Sequence, residues 1–157
     1  AALARFRLGQ GHDWPDLEVL KAAGLRTSAG THYEGLFEML VRKRVDALPR
    51  SVMEVKQEIE ARSDDHFAIE PSLVLVYPAA LFFFVAPADR VLAADLERGL
   101  QRAHADGSLE ALYARHYPEA SARRLAAGRR VLHLVNPDFP DGVPSIAAAG
   151  WMAELPR

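Results

Sequence analysis

The chain contains no cysteine. That one absence excludes disulfide staples, thiolate metal sites and thiol nucleophiles together. A long hydrophobic run is also missing. The longest, LVLVYPAALFFFVAP over residues 73–87, falls short of the about 20 residues that a membrane-spanning helix needs, and Pro78 interrupts it. Nor is there an excess of one charge. Nineteen Lys and Arg stand against 21 Asp and Glu, for a net charge of −2. No basic field exists to hold a phosphate backbone, so no nucleic acid is expected as a partner. The local basic clusters at 42–44, 123–124 and 129–130 lie near acids and read as solvated helix faces. Motifs are scarce as well. There is no GxxxxGK[ST] phosphate loop and no GxSxG nucleophile elbow. Gly9-Gln10-Gly11 has a dinucleotide-loop spacing, but the third glycine would fall on Trp14. The six histidines include no HxxxH or HExxH pair. No metal, no cofactor and no catalytic residue is expected, and the chain is not read as an enzyme.

What remains is an ordinary globular composition, half hydrophobic and a quarter charged, over 157 residues. That length suits one domain with a real core, or one lobe of a larger protein. The opening AALARFRL has no leader character, which favours a processed chain or an excised fragment.

The first 65 residues repeat one unit: short strand, capped turn, helix. Phe6 and Leu8 alternate into a strand over residues 5–10, closed by Gly9 and Gly11. Asp13 is a natural N-cap, Pro15 suits a first helical turn, and Asp16 sits where the helix dipole favours an acid. Leu17, Leu20 and Ala23 (or Leu17, Val19 and Ala23) make an apolar stripe that Gly24 ends. Residues 25–28 read as the next strand. Thr31-His32-Tyr33-Glu34 reads as a capping box, opening a helix over 33–43 that buries Tyr33, Leu36, Phe37, Leu40 and Val41. Val45, Ala47 and Leu48 make a third strand, stopped by Pro49. Ser51-Val52-Met53-Glu54 reads as a second capping box, with Val52, Val55 and Ile59 as the buried stripe of its helix.

Strands alternating with helices imply βαβ units, and hence a mostly parallel sheet with flanking helices. Right-handed crossovers then bring residues 11–14, 30–33 and 49–51 to one sheet edge. Open α/β sheets hold ligands at that carboxyl edge. Arg50 stands there with a planar fork suited to a carboxylate or phosphate, and His12 lies in a neighbouring turn.

The pattern then changes. Residues 67–70, 73–76 and 81–85 read as strands bounded by Pro71, Pro78 and Pro87, their two-sided hydrophobicity implying cover on both faces. Residues 88–105 form an amphipathic helix capped by Asp89, with Val91, Leu92, Leu96 and Leu100 inward. A helix over 109–117, a short helix or turn over 118–127, a strand over 131–135 and an irregular tail complete the chain.

The segments GHDWPDLEVLKAAGL, GLFEMLVRKRVDALPRSVMEVKQE, VLVYPAALFFFVAP, LERGLQRAHADGSLEAL and RRVLHLVNPDFP resemble the bacterial extracellular solute-binding proteins of the amino-acid ABC-transporter type. The resemblance is distributed over nearly the whole chain. It implies a two-lobed α/β fold with the solute trapped between lobes. Residues 1–78 resemble lobe two; residues 79–157 resemble the return hinge strand and the C-terminal helical part of lobe one, whose N-terminal half has no counterpart here. It further implies a periplasmic or extracellular location and a membrane permease as partner. The family's lobe-two contacts fall on Gly11, His12, Asp13 and Trp14, and on Arg50 and Ser51. Amino-acid binders carry an Asp at the Ser51 position to hold the ligand ammonium. Ser51 cannot supply that charge, which points to a small polar or anionic solute. A receptor's ligand-sensing domain, or an enzyme built on the same lobes, are the alternatives. With half a lobe missing, the apolar residues 81–85 and 91–100 are expected to be covered by a homo-oligomer, by domain exchange or by a rearranged sheet.

Overall fold

A computed structural model describes residues 3–62, 67–79, 81–117 and 127–139. A 3-10 turn at Leu3–Arg5 leads into β1, Arg7–Gly11. Then come α1 (Asp16–Ala22), β2 (Arg26–Gly30), α2 (Tyr33–Val41), α3 (Val55–Glu60), β3 (Leu73–Val76), α4 (Arg90–Ala105), α5 (Ser108–His116) and β4 (Arg130–His133). The fold is mixed α/β with parallel strand pairing throughout the described residues.

β1 pairs with β2 in parallel from Arg7↔Arg26 to Gly11↔Gly30. On the other edge of β1 the expected third strand is reduced to one parallel bridge, Leu8↔Ala47. It is anchored by Gly9 N–H donating to the Ala47 carbonyl at 2.9 Å and Asp46 N–H donating to that of Arg7 at 2.8 Å. Pro49 explains the brevity, since it has no N–H to extend a ladder. The second sheet, β3 with β4, is also parallel and two-stranded, in the register Leu73↔Arg130 to Val76↔His133. It joins a strand before residue 78 to one far beyond it.

α1 begins two residues later than an Asp13 cap requires. Pro15 occupies the N-cap position and no side chain caps the helix. Its other end follows the sequence: Gly24, at φ +69°, lets its own N–H reach the Lys21 carbonyl and that of Leu25 reach Leu20, the double bond of a Schellman stop. Asp89 caps α4 as expected, accepting from Leu92 N–H at 3.0 Å.

The helix opened by Ser51 is displaced. Ser51 Oγ accepts from Met53 N–H at 3.2 Å and organises a turn, but regular helix starts only at Val55. Residues 67–70 are not a strand; Glu70 instead folds its carboxylate back onto Ser72 N–H at 3.0 Å. Residues 81–85 are not a strand either, and among the described residues no strand pairs with them. Residues 118–126 and 140–157 lie outside the described residues.

Among the described residues, the buried hydrophobic ones are Leu8, Leu17, Val19, Leu20, Leu36, Phe37 and Val45. All come from β1, α1, α2 and the bridge strand, and each full burial contributes about 1.5–3 kcal/mol. Tyr33 and Val41, expected inside, are exposed, and so are Val91, Leu92 and Leu100.

One contact clips the β3 end to this core: the Tyr77 hydroxyl donates to Asp16 Oδ1 in the first turn of α1. Burial, then the bond to Asp16 and that carboxylate's charge, push the Tyr77 phenol well above its ordinary value of 10.0. A raised folded-state value means the contribution is complete below about pH 10 and lost as pH climbs through the folded value. Tyr77→Phe is expected to cost about 1.5 kcal/mol in urea unfolding at pH 7, at the low end for a bond to a charged acceptor because Asp16 regains water. It should also remove part of the wild-type loss of stability above pH 10. Unchanged stability in both regimes would contradict the clip.

Candidate functional site

The three strand-end turns do come together. His12 N–H donates to the Gly30 carbonyl at 2.9 Å, tying the first turn to the second. Trp14 folds back so closely that a Cβ on Gly11 would lie 2.4 Å from the indole ring. Only glycine fits beneath the ring there. Trp14 lies 6.3 Å from Tyr33, centroid to centroid, and the Arg50 guanidinium from the third turn lies over both rings, at 4.6 Å and 5.7 Å.

Arg50 is not an open clamp. Its Nε donates to Glu58 Oε2 at 2.9 Å and its Nη2 to Glu58 Oε1 at 2.6 Å, a two-pronged pair. Nη2 also donates to Glu54 at 3.0 Å. The side chains of Arg50 and Glu58 are only 12% and 10% exposed. The Tyr33 hydroxyl completes the carboxylate's shell at 2.7 Å. Burial raises the Glu58 carboxyl, but the bonds from Arg50 and Tyr33 and the charges of Arg50 and Arg62 outweigh it and hold the group below its ordinary value. Arg50 is correspondingly raised: burial opposes its charge, and Glu58 and Glu54 more than restore it. The Tyr33 phenol is raised by burial first and then by the Glu58 carboxylate.

A second guanidinium repeats the arrangement one step along. Arg62 lies 3.8 Å over Phe37 and 5.1 Å over Tyr33, and donates to both Glu34 oxygens at 2.7 and 2.8 Å. Phe67 closes the row at 5.7 Å from Phe37. Arginines and rings thus alternate from Trp14 after β1, through Tyr33, to Phe37 on α2. Cation–π contacts add about 0.5–1 kcal/mol each when exposed and more when desolvated.

Both expected capping boxes fail for one reason. Glu34 and Glu54 should reach back to their own helix starts; each instead binds an arginine, because a charge-assisted bond is stronger than a backbone cap. His12 and Asp13 stay exposed, 3.6 Å apart, and face no other site group among the described contacts. Ser51 is used up in its turn. Of the six residues singled out, the structure brings Gly11, Trp14 and Arg50 together, places Ser51 beside them, and leaves His12 and Asp13 at the rim.

The sequence reading placed Tyr33 at this edge but missed Glu58, Arg62, Tyr77 and Asp16 as neighbours of the site. One signal was available: Arg50, Glu54 and Glu58 recur every fourth residue, the spacing of one helical face.

A shallow open groove of about 280 Å³ starts at the second of the strand-end turns (Gly30, Thr31, His32) and runs along the flank of α2. It holds no buried polar group, and its Arg42 is paired with Glu38 at 3.3 Å. The strand-end cluster is chemically the better site. Among the described residues no cluster of His, Asp and Glu is arranged to hold a metal, and no helix is long and apolar enough to cross a membrane. Comparison of the chain with known protein families, with curated proteins and with solved structures returns no match.

The Glu58 shift sets a pH dependence. A depressed carboxyl contributes stability that is complete above its ordinary 4.5 and lost as pH falls through the lower folded value. Glu58→Gln is expected to be less stable than wild type at pH 7 and to lose less on acidification from pH 5 to pH 3. Parallel pH–stability curves for the two proteins would show that Glu58 is not held by Arg50.

Proposed function

We propose that this chain is an extracytoplasmic solute-binding module, part of a periplasmic-binding-type α/β lobe. It takes a small polar solute at the strand-end turns and presents it to the permease of an ABC-type transporter. The observation that carries the reading is the convergence of three strand-end turns on one preorganised arginine. Nε and Nη2 of Arg50 are fixed by Glu58 and Glu54, while Nη1 makes no hydrogen bond among the described contacts. Trp14 supports the guanidinium from one side. A rigid donor at the mouth of a parallel sheet is what positions a solute acceptor atom with little loss of side-chain entropy. The distributed resemblance to solute-binding proteins supports the same reading.

The paired glutamates refine the solute. They cancel the charge of Arg50, and Asp13 and Asp16 add negative charge nearby. A neutral or zwitterionic polar solute therefore suits the site better than a multiply charged anion.

Trp14 is a built-in reporter once the other tryptophan is removed by Trp151→Phe. Its emission should change saturably with at least one solute among the amino acids, short organic acids and neutral polyols, at a Kd of about 100 µM or tighter. Arg50→Lys keeps the charge but loses the fork and should weaken that binding at least tenfold. No saturable change with any of the three classes, or binding indifferent to Arg50→Lys, would overturn the proposal.

A further inference from the structure

The C-terminal half of the described chain is the more apolar in stretches and yet buries nothing. No described residue from 67 to 139 is buried. α4 and α5, 16 and 9 residues long, contain no buried side chain. Leu81 and Phe84 are each 93% exposed, Val91 is 74% exposed, and Phe82, Phe83 and Leu92 are exposed as well. A two-stranded sheet is marginal alone, and parallel sheets are normally covered on both faces. This half is short of a core, while the first 45 residues have one.

We propose that the face carrying Leu81, Phe82, Phe83, Phe84, Val91 and Leu92 docks against the same face of a second copy of this chain. Two properties select that occupant. The first is area. With 150–250 Å² for a fully buried aromatic, these six residues expose on the order of 800 Å², the share each partner contributes to a standard interface. The second is charge. Residues 71–88 contain no Lys, Arg, Asp or Glu, and Asp89 and Arg90 before Val91 carry opposite signs. A two-fold interface sets the same patch against itself, so a one-signed patch would repel its copy and one without net charge does not. Docking would place the rings in contact across the axis and cover the outer side of α4. The proposal does not rest on the solute-binding reading.

Light scattering of the purified chain at about 50 µM, well above a micromolar Kd, should give twice the 17.3 kDa chain mass. In the Trp151→Phe background, Phe84→Asp and, separately, Leu81→Asp should return the protein to monomer with Trp14 emission unchanged, since both side chains are solvent-exposed in one copy. A wild-type monomer at that concentration would overturn the proposal. So would open-ended aggregates, a dimer insensitive to both substitutions, or a monomer that instead sediments with phosphatidylcholine vesicles.

Discussion

The Arg50–Glu58 pair holds the strand-end edge of the fold together. It joins a turn after the bridge strand to the middle of α3, a helix of only six residues whose one buried residue is Glu58 itself. A helix that short has almost no intrinsic stability in water. What fixes it is the two-pronged bond to Arg50, the Tyr33 hydroxyl on the same carboxylate, and Arg62 donating to the Glu58 carbonyl at 3.2 Å. The Trp14 ring in turn lies where it does because Gly11 leaves room below it and Arg50 covers it above. Exposed ion pairs contribute less than about 1 kcal/mol, whereas breaking a buried one costs about 3–5. The low exposure of both partners puts this pair between those limits, nearer the upper.

The arrangement changes the meaning of Arg50. An arginine at the carboxyl edge of a parallel sheet suggests an anion receptor, and here that guanidinium is already paired with two glutamates. What it retains is direction. Two of its nitrogens are occupied and its plane is set by the indole, so its remaining amino group is a fixed donor of nearly cancelled charge. That combination suits recognition by hydrogen-bond geometry more than by attraction of charge.

Local signals in the sequence were readable where one interaction dominates. β1, β2, the glycine stop after α1 and the Asp89 cap all follow from backbone rules that no tertiary contact overrides. The caps at Glu34 and Glu54 were misread because those side chains had a better offer from Arg62 and Arg50, residues distant in sequence or assigned to another role. Glu58 was hidden for the same reason: a charged residue between Val55 and Ile59 reads as solvent-facing until its arginine is known. The strands expected at 67–70 and 81–85 have the right composition and no neighbour, and a strand is defined by its neighbour. The unequal burial of the two halves has a similar origin. Periodicity identifies which side of α4 is apolar, but not what lies against it.

The most direct test is a double-mutant cycle on Arg50 and Glu58, measured by urea unfolding at pH 7 with Arg50→Ala, Glu58→Ala and the double variant. If the pair organises the strand-end edge, each single substitution destabilises by about 2 kcal/mol or more. The double variant then costs far less than their sum, with a coupling above about 1 kcal/mol. Additivity to within about 0.5 kcal/mol, the behaviour of independent sites, would contradict it.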